Sequence, residues 1–355
     1  MADVKVNTAG VIKCKSCGAD MVFDPASQQL RCPYCDITRD IEKRVPHIRD
    51  FESERQSGGV ETDGDVYKCP NCGGESEIHG FSTAVKCPFC GGTNVVKLED
   101  MKGLKPDSVL PFAITKDNAV ESGQKWIKKK FFAPSKLKKN FTVDNFNGVY
   151  IPSFAFDSNT YSTYDGRFGK DKTRTVQTKD GPKTEHYIEW YNVSGKWNRF
   201  FENTMVEAST QIHQYELNSI LPYDMNNATA YAREYLAGFS AERYDTSLDE
   251  SFGTAKSEMD GMIRQEIKNH YNPDHVDYLN VNTTFANVKF RYTLLPLWIC
   301  GYKFKEKLYR FLVNARTGKA AGKAPKSPLK IAFTTLLIIA AIIGIVVLLY
   351  FLGNK

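Results

Sequence analysis

The most apolar part of this chain is its last. Residues 331–352 read IAFTTLLIIAAIIGIVVLLYFL, twenty-two positions without a charge, and Gly353, Asn354 and Lys355 follow. At about 1.5 Å rise per residue, the helix they predict is roughly 33 Å long, enough to cross a bilayer core of about 30 Å. A buried core helix rarely runs so far without a polar face. The pattern therefore predicts a single transmembrane helix at 331–352, acting as a C-terminal anchor.

Between 105 and 315 the pattern is mixed. Phe112-Ala113-Ile114 reads as a short strand, and Thr115 can cap a helix running to about Phe132, ahead of Pro134. Gly148 to Phe156 and the alternating tyrosines of 159–166 predict strands. Ile188 to Val193 and Gly195 to Phe201 predict a further pair, with the polar stretch 167–186 as a hairpin tip. Helical periodicity returns at about 227–244, where Tyr231, Tyr235, Leu236 and Phe239 share a face, and at about 247–270. Strands at 280–295 and 297–313 close the segment. This order predicts an α+β domain with an antiparallel sheet. Tyr150-Ile151-Pro152-Ser153-Phe154 echoes Leu294-Leu295-Pro296-Leu297-Trp298, which suggests an internal duplication of that domain.

Charge adds an orientation. Lys307, Arg310, Arg316, Lys319, Lys323, Lys326 and Lys330 precede the apolar run, no acid lies between Glu306 and that run, and one lysine follows it. The positive-inside bias then places residues 1–330 in the cytoplasm of a single-pass cell-membrane protein. The start, MADVKVNTAG, has no apolar signal-peptide core. Residues 316–330, with Pro325 and Pro328, read as a basic juxtamembrane tether spacing the domain from the bilayer. Lys125, Lys128, Lys129, Lys130, Lys136, Lys138 and Lys139 crowd the stretch 125–139 together with Trp126, Phe131 and Phe132. That stretch fits a solvated helix end, or a surface for anionic lipid or an acidic protein. Within the apolar run, Ala340 and Gly344 form a small-xxx-small pair suited to helix pairing, and so to an oligomer.

Eight of the nine cysteines form two matching sets. Cys14, Cys17, Cys32 and Cys35 are followed 55 positions later by Cys69, Cys72, Cys87 and Cys90, with the same spacing. Two residues between paired cysteines let a tight turn aim both thiolates at one point, and a zinc ion takes four of them tetrahedrally at about 2.3 Å. Gly18, Gly73 and Gly91 follow second cysteines, where positive φ costs glycine little. Asp36 stands in the equivalent place of the first set, and Asp enters that region more readily than most residues. The sets predict two small β zinc ribbons, at 11–40 and 66–98, joined by a charged linker at 41–65 whose later part, about 52–65, reads as flexible and lets the ribbons move independently. With all four positions filled by sulfur, both zinc ions are expected to be structural, and His47 and His79 are bystanders. Cytoplasmic thiols stay reduced, which argues against a disulfide framework. Each such centre carries a net charge of −2, so two of them lower the formal charge of +6 to about +2.

The remaining cysteine, Cys300, lies in an apolar strand-like run and reads as a buried structural thiol. No HExxH, G-x-S-x-G, Walker A or dinucleotide-binding glycine pattern occurs, and His270 and His275 fall in a loop pattern around a proline. The residues nominate no catalytic set, so the chain is expected not to be an enzyme.

The paired CxxC ribbons, the run from Ala237 to Tyr244 (AGFSAERY), the LLPLW run at 294–298 and VNARTGKAAGKAPKSPLKI at 313–331 together resemble one family. It is the bacterial membrane-anchored proteins with TFIIB-type zinc ribbons, whose ribbons are likened to those of the primosomal helicase PriA. Relatives often have Gly where this chain has Ala315, and no helicase motor is present. The resemblance implies a scaffold in Gram-positive bacteria that recruits PspA-like and SPFH-like membrane-stress proteins to the membrane. The alternative is a membrane-tethered zinc-ribbon protein that binds nucleic acid. It is disfavoured because the ribbons carry few basic residues: Lys13, Lys15 and Arg31 in the first, Lys68 and Lys86 in the second.

Overall fold

Short hydrophobic strands at the N-terminus close a small three-stranded sheet from β1 (Val22–Asp24), β2 (Gln29–Arg31) and β3 (Thr38–Arg39), with Phe23 and Leu30 buried as a facing pair. The structure is a computed structural model that describes residues 12–57, 66–68, 75–77, 96–98, 104–139, 146–179, 181–209, 211–304 and 307–353. After the small sheet come β4 (Arg49–Asp50) and α1 (Phe51–Ser57), then β5 (Val66–Lys68), β6 (Glu75–Glu77) and β7 (Val96–Leu98). Strand β8 (Ser108–Val109) leads to α2 (Lys116–Lys129), whose N-cap Thr115 accepts a hydrogen bond from the Asn118 N–H at 3.4 Å, and to α3 (Ser135–Lys139).

Two long strands follow, β9 (Phe146–Thr178) and β10 (Gly181–Glu207), paired antiparallel from Gly181↔Thr178 to Glu207↔Ser153. The polar stretch 167–186, expected as a hairpin tip, is ladder over most of its length. Its β-branched residues suit a strand, and cross-strand ion pairs hold it, Arg174 with Glu185 at 3.0 Å and Lys172 with Glu189 at 3.7 Å.

The chain continues through α4 (Gln214–Ile220), β11 (Thr229–Ala230), β12 (Ser240–Glu242) and α5 (Leu248–Tyr271). The helix expected at 227–244 does not form. In its place stand β11, a 3-10 turn at Arg233–Leu236 and β12, because Thr229 and Ala230 pair with β8 and Gly238 sits at a φ of +88°. Helix α5 matches expectation, with Ser247 and Glu250 in a reciprocal capping box. Then come β13 (His275–Phe304), β14 (Lys307–Asn314), β15 (Ala320–Gly322) and α6 (Pro328–Gly353).

Strand β13 runs antiparallel to β9 along nearly its whole length, so β10, β9 and β13 lie side by side as the spine of a curled sheet. Residues 149–156 are buried almost without interruption because both faces are covered. Tyr150, Phe154 and Phe156 enter one core with α2 and α5; Val149, Ile151 and Ala155 enter a second with α4. The two echoing segments meet here, with Tyr150 opposite Pro296 and Pro152 opposite Leu294. The order of short strand, capped helix, long strand and antiparallel return occurs as β8–α2–β9–β10 and again as β12–α5–β13–β14. The short strands pair in parallel at matching places, Thr293↔Ser108 and Ser240↔Val149.

The first cysteine module is docked on this domain, while residues 58–65, on which its expected independence from the second module mostly rests, lie outside the described residues. The Phe23 N–H donates to the Ala237 carbonyl at 2.8 Å, Gln28 Nε2 to the Phe112 carbonyl at 2.6 Å, and Phe23 meets the Tyr235 ring edge to face at 5.4 Å. The described part of the linker, 41–57, is tied down as well. β4 pairs with β13, and Phe51 is buried against Phe156, Phe252 and Phe290. Strand β6 pairs with β12, bringing backbone from the second ribbon's region onto the same sheet.

The tether is also not a free spacer. β15 pairs with β14, Pro325 is buried, and the Ser327 N–H donates to the Phe132 carbonyl at 2.8 Å. Helix α6 then leaves the domain. It is long and apolar enough to cross a membrane, and its window Pro328–Val346 has no buried part.

Candidate metal centre

Cys14 and Cys17 stand on one turn, Cys32 and Cys35 on another, and the two turns have the same hydrogen bonds. The Gly18 N–H reaches the Cys14 carbonyl at 2.9 Å and the Asp36 N–H the Cys32 carbonyl at 3.0 Å. The Cys14 N–H reaches the Ala19 carbonyl at 2.7 Å and the Cys32 N–H the Ile37 carbonyl at 2.9 Å. Gly18 has a φ of +72° and Asp36 of +60°, so the aspartate takes the left-handed place that the sequence assigned it. Its carboxylate then pairs with Arg31 at 2.8 Å.

These turns bring the four sulfurs together, all within 4.8 Å of one another, with 3.5 Å between Cys14 and Cys35 and 3.4 Å between Cys17 and Cys32. A tetrahedral ion with Zn–S bonds of about 2.3 Å would set neighbouring sulfurs about 3.8 Å apart, so the quartet fits such an ion. N–H groups of Cys17 and Ser16 pull the Cys14 thiol down, while in the same crowded quartet the neighbouring sulfurs push the Cys35 thiol up, as expected of four thiols sharing one charge-bearing site. Buried Met21 and Leu30 pack beside Cys14 and Cys32 and shield one side.

Among the described residues this quartet is the one group arranged to hold a metal ion. Cys69, Cys72, Cys87 and Cys90 lie outside the described residues, as does His79. His47 is exposed. His270 lies against the Trp197 ring at 5.7 Å while His275 Nε2 meets Asp171 at 2.8 Å, so these two histidines serve different partners. Cys300 is buried, and burial pushes its thiol up to about 12.

Two features escaped the sequence reading. The first is a cleft of about 760 Å³ where the cysteine module meets the domain. Lys43, Arg44, Arg291 and Arg316 line it beside Pro25 and Pro46, with no carboxylate in its wall. Arg316 is half-buried there, burial lowers its pKa, and its Nη1 donates to the Pro111 carbonyl at 3.2 Å. The second is a pair of buried carboxyls, Glu207 and Glu242. Burial pushes both well above the usual range, and Glu207 is pushed further by Glu242. Ser209 Oγ donates to Glu242, whereas among the described residues neither carboxyl oxygen of Glu207 meets a hydrogen-bond partner. In sequence both are ordinary glutamates near strand ends; only the closing of the sheet around them marks them out.

Compared with known proteins, the chain is 29% identical over 330 residues to the uncharacterized protein YdjG of Bacillus subtilis (strain 168), an alignment spanning 90% of this chain and 91% of the other. No family model and no solved structure matches it.

Proposed function

We propose that this protein is a non-enzymatic scaffold, held at the cytoplasmic face of a membrane by α6, that recruits partner proteins through its folded N-terminal part. The observation that carries the reading is the placement of α6, a long apolar helix that leaves the domain with no part of its window Pro328–Val346 buried. The seven basic residues ahead of the apolar run support the cytoplasmic orientation.

Zinc at Cys14, Cys17, Cys32 and Cys35 is structural in this reading. Four thiolates fill the tetrahedron, leaving no open position for water, and the module they brace is itself part of the domain's packing. The same role extends to Cys69, Cys72, Cys87 and Cys90 by their identical spacing. Glu42 engages Arg44 at 2.6 Å, and Lys43, Arg291 and Arg316 leave the cleft basic enough to suit an acidic segment of a partner; the partner class that the family resemblance carries is a PspA-like or SPFH-like membrane-stress protein. The nucleic-acid alternative is weaker because two of the module's basic residues are answered locally, Lys13 by Asp20 at 2.5 Å and Arg31 by Asp36 at 2.8 Å.

The test is recruitment of a PspA-like protein from the same cells to vesicles bearing the full-length chain. Lys43→Glu with Arg44→Glu, both at exposed positions, should abolish recruitment while zinc content and membrane insertion stay unchanged. Recruitment undiminished in that variant counts against the cleft, and recruitment absent even with the unaltered chain counts against the scaffold.

A further inference from the structure

The turn after α2 and the start of α6 are fastened to each other. The Ser327 N–H donates to the Phe132 carbonyl at 2.8 Å. Lys330 Nζ donates to the Ala133 carbonyl at 2.9 Å and to the Phe131 carbonyl at 3.3 Å. Ile331, first residue of the uncharged run, follows Lys330 directly. Residues 131–133 therefore stand at the level where the apolar helix begins.

What the chain displays at that level is unusual for a solvated helix end. The apolar face of α2 is used inside the domain, where Trp126 stacks on Phe311 at 5.3 Å and Ile127 is buried. Phe131 and Phe132 point the other way, 64% and 39% exposed, with their rings edge to face at 5.2 Å. Lys128, Lys129 and Lys130 beside them are exposed, as is Lys326 on the incoming segment. The nearest acid on α2, Glu121, is engaged by Lys125 at 2.6 Å, and the sequence has no other acid until Asp144.

We infer that this face is a second membrane contact, in which Phe131 and Phe132 enter the interfacial layer while Lys128, Lys129 and Lys130 bind the phosphates of anionic phospholipid. The inference rests on the reading of α6 as a bilayer span. Aromatic side chains favour the depth between headgroups and acyl chains. Each lysine near an anionic leaflet strengthens the attachment about fivefold, and its alkyl stem can lie along the apolar layer while the ammonium stays among headgroups. An acidic protein would satisfy the lysines, but the pinning of this turn to the base of α6 puts lipid in reach first. The basic stretch is thereby separated in role from the cleft.

The experiment uses the full-length chain with Phe131→p-benzoylphenylalanine, reconstituted in vesicles with or without phosphatidylglycerol, and a control carrying the same photoreactive group in place of Tyr187 near the hairpin end. After irradiation, flotation reports insertion of α6 and mass spectrometry reports adducts. The expected result is flotation of both proteins, with phospholipid adducts at position 131 and none at 187. The yield at 131 should fall about fivefold or more when phosphatidylglycerol is omitted or when Lys128→Glu, Lys129→Glu and Lys130→Glu are combined. Flotation without lipid adducts at 131, or with adducts indifferent to lipid charge and to the lysines, overturns the second contact and leaves the anchor standing. Failure to float overturns the anchor itself.

Discussion

Arg49 reaches across the sheet edge to Asp107, its Nε 2.7 Å from a carboxylate whose side chain is only 3% exposed. Asp107 also accepts the Tyr292 N–H at 2.9 Å, so this ion pair ties the strand before α1 to β13 through one buried group. Burial pushes the Asp107 carboxyl up, and the Tyr292 N–H and the Arg49 guanidinium only partly offset that.

Arg49→Met should be strongly destabilising, by about 3–5 kcal/mol at pH 8, because it leaves a buried charge without its partner. At pH 5 the orphaned carboxyl can take up a proton, so the loss should be smaller there. Urea unfolding at both pH values checks this; an equal loss would place the effect in packing rather than charge.

Phe51→Ala should cost about 3–5 kcal/mol, as expected for a large ring removed from a full core. The midpoint of the domain's unfolding transition should fall, since Phe51 lies among Phe156, Phe252 and Phe290 of that domain. A change confined to the first 57 residues, read by hydrogen exchange, would show that the segment is not part of the same cooperative unit.

Cys32→Ser should remove one zinc ion per chain and loosen Phe23 from Tyr235, because the turn that holds the hairpin loses its ligand. Metal analysis gives the stoichiometry, and hydrogen exchange at Phe23 and Ala237 gives the docking. Unchanged zinc content would refute the assignment of this quartet.

Glu207→Gln should stabilise the domain at pH 8. The folded-state pKa of Glu207 is raised, so the unfolded chain gives up this proton more readily than the folded one. Stability linked to the group is present below the ordinary glutamate value near 4.5 and is lost as pH rises toward the raised value. The gain from the amide should therefore shrink as pH falls toward 4.5, and a melting series from pH 4.5 to 8 is the measurement. Each 1 kcal/mol gained is about 2–4 °C in Tm for a domain of this size.

The features readable in the sequence were those set by local chemistry. Thr115 and Ser247 cap their helices because a hydroxyl can satisfy free N–H groups at any helix start. Asp36 takes its left-handed place because the turn geometry around a cysteine pair demands one. The apolar run at 331–352 declares its helix through length alone, and α6 begins three residues earlier, at Pro328. Illegible were the elements whose form is decided by distant partners. Tyr231, Tyr235, Leu236 and Phe239 have helical spacing, yet the backbone around them is claimed by β8, β6 and β9. Charged residues at 41–57 looked like linker because their apolar side chains are few and scattered, Ile41, Val45, Ile48 and Phe51, and of these only Phe51 is fully packed. The tether looked free because Pro325 and Ser327 reveal their contacts only when α2's turn is beside them. Nothing local distinguishes Glu207 from a surface glutamate.

The clamp of Lys330 on Ala133 bears on how far above a membrane this protein can act. Strand β9 starts beside α2, with Phe146 against Phe311 at 5.4 Å, and follows roughly 110 Å of path over its 33 residues to Thr178. With α6 sunk in a bilayer and no slack at its neck, the far end of that hairpin keeps a set standoff and a set bearing. On the proposed reading of α6 as a bilayer span, the hairpin would act as a gauge, reaching only neighbours whose own height matches it.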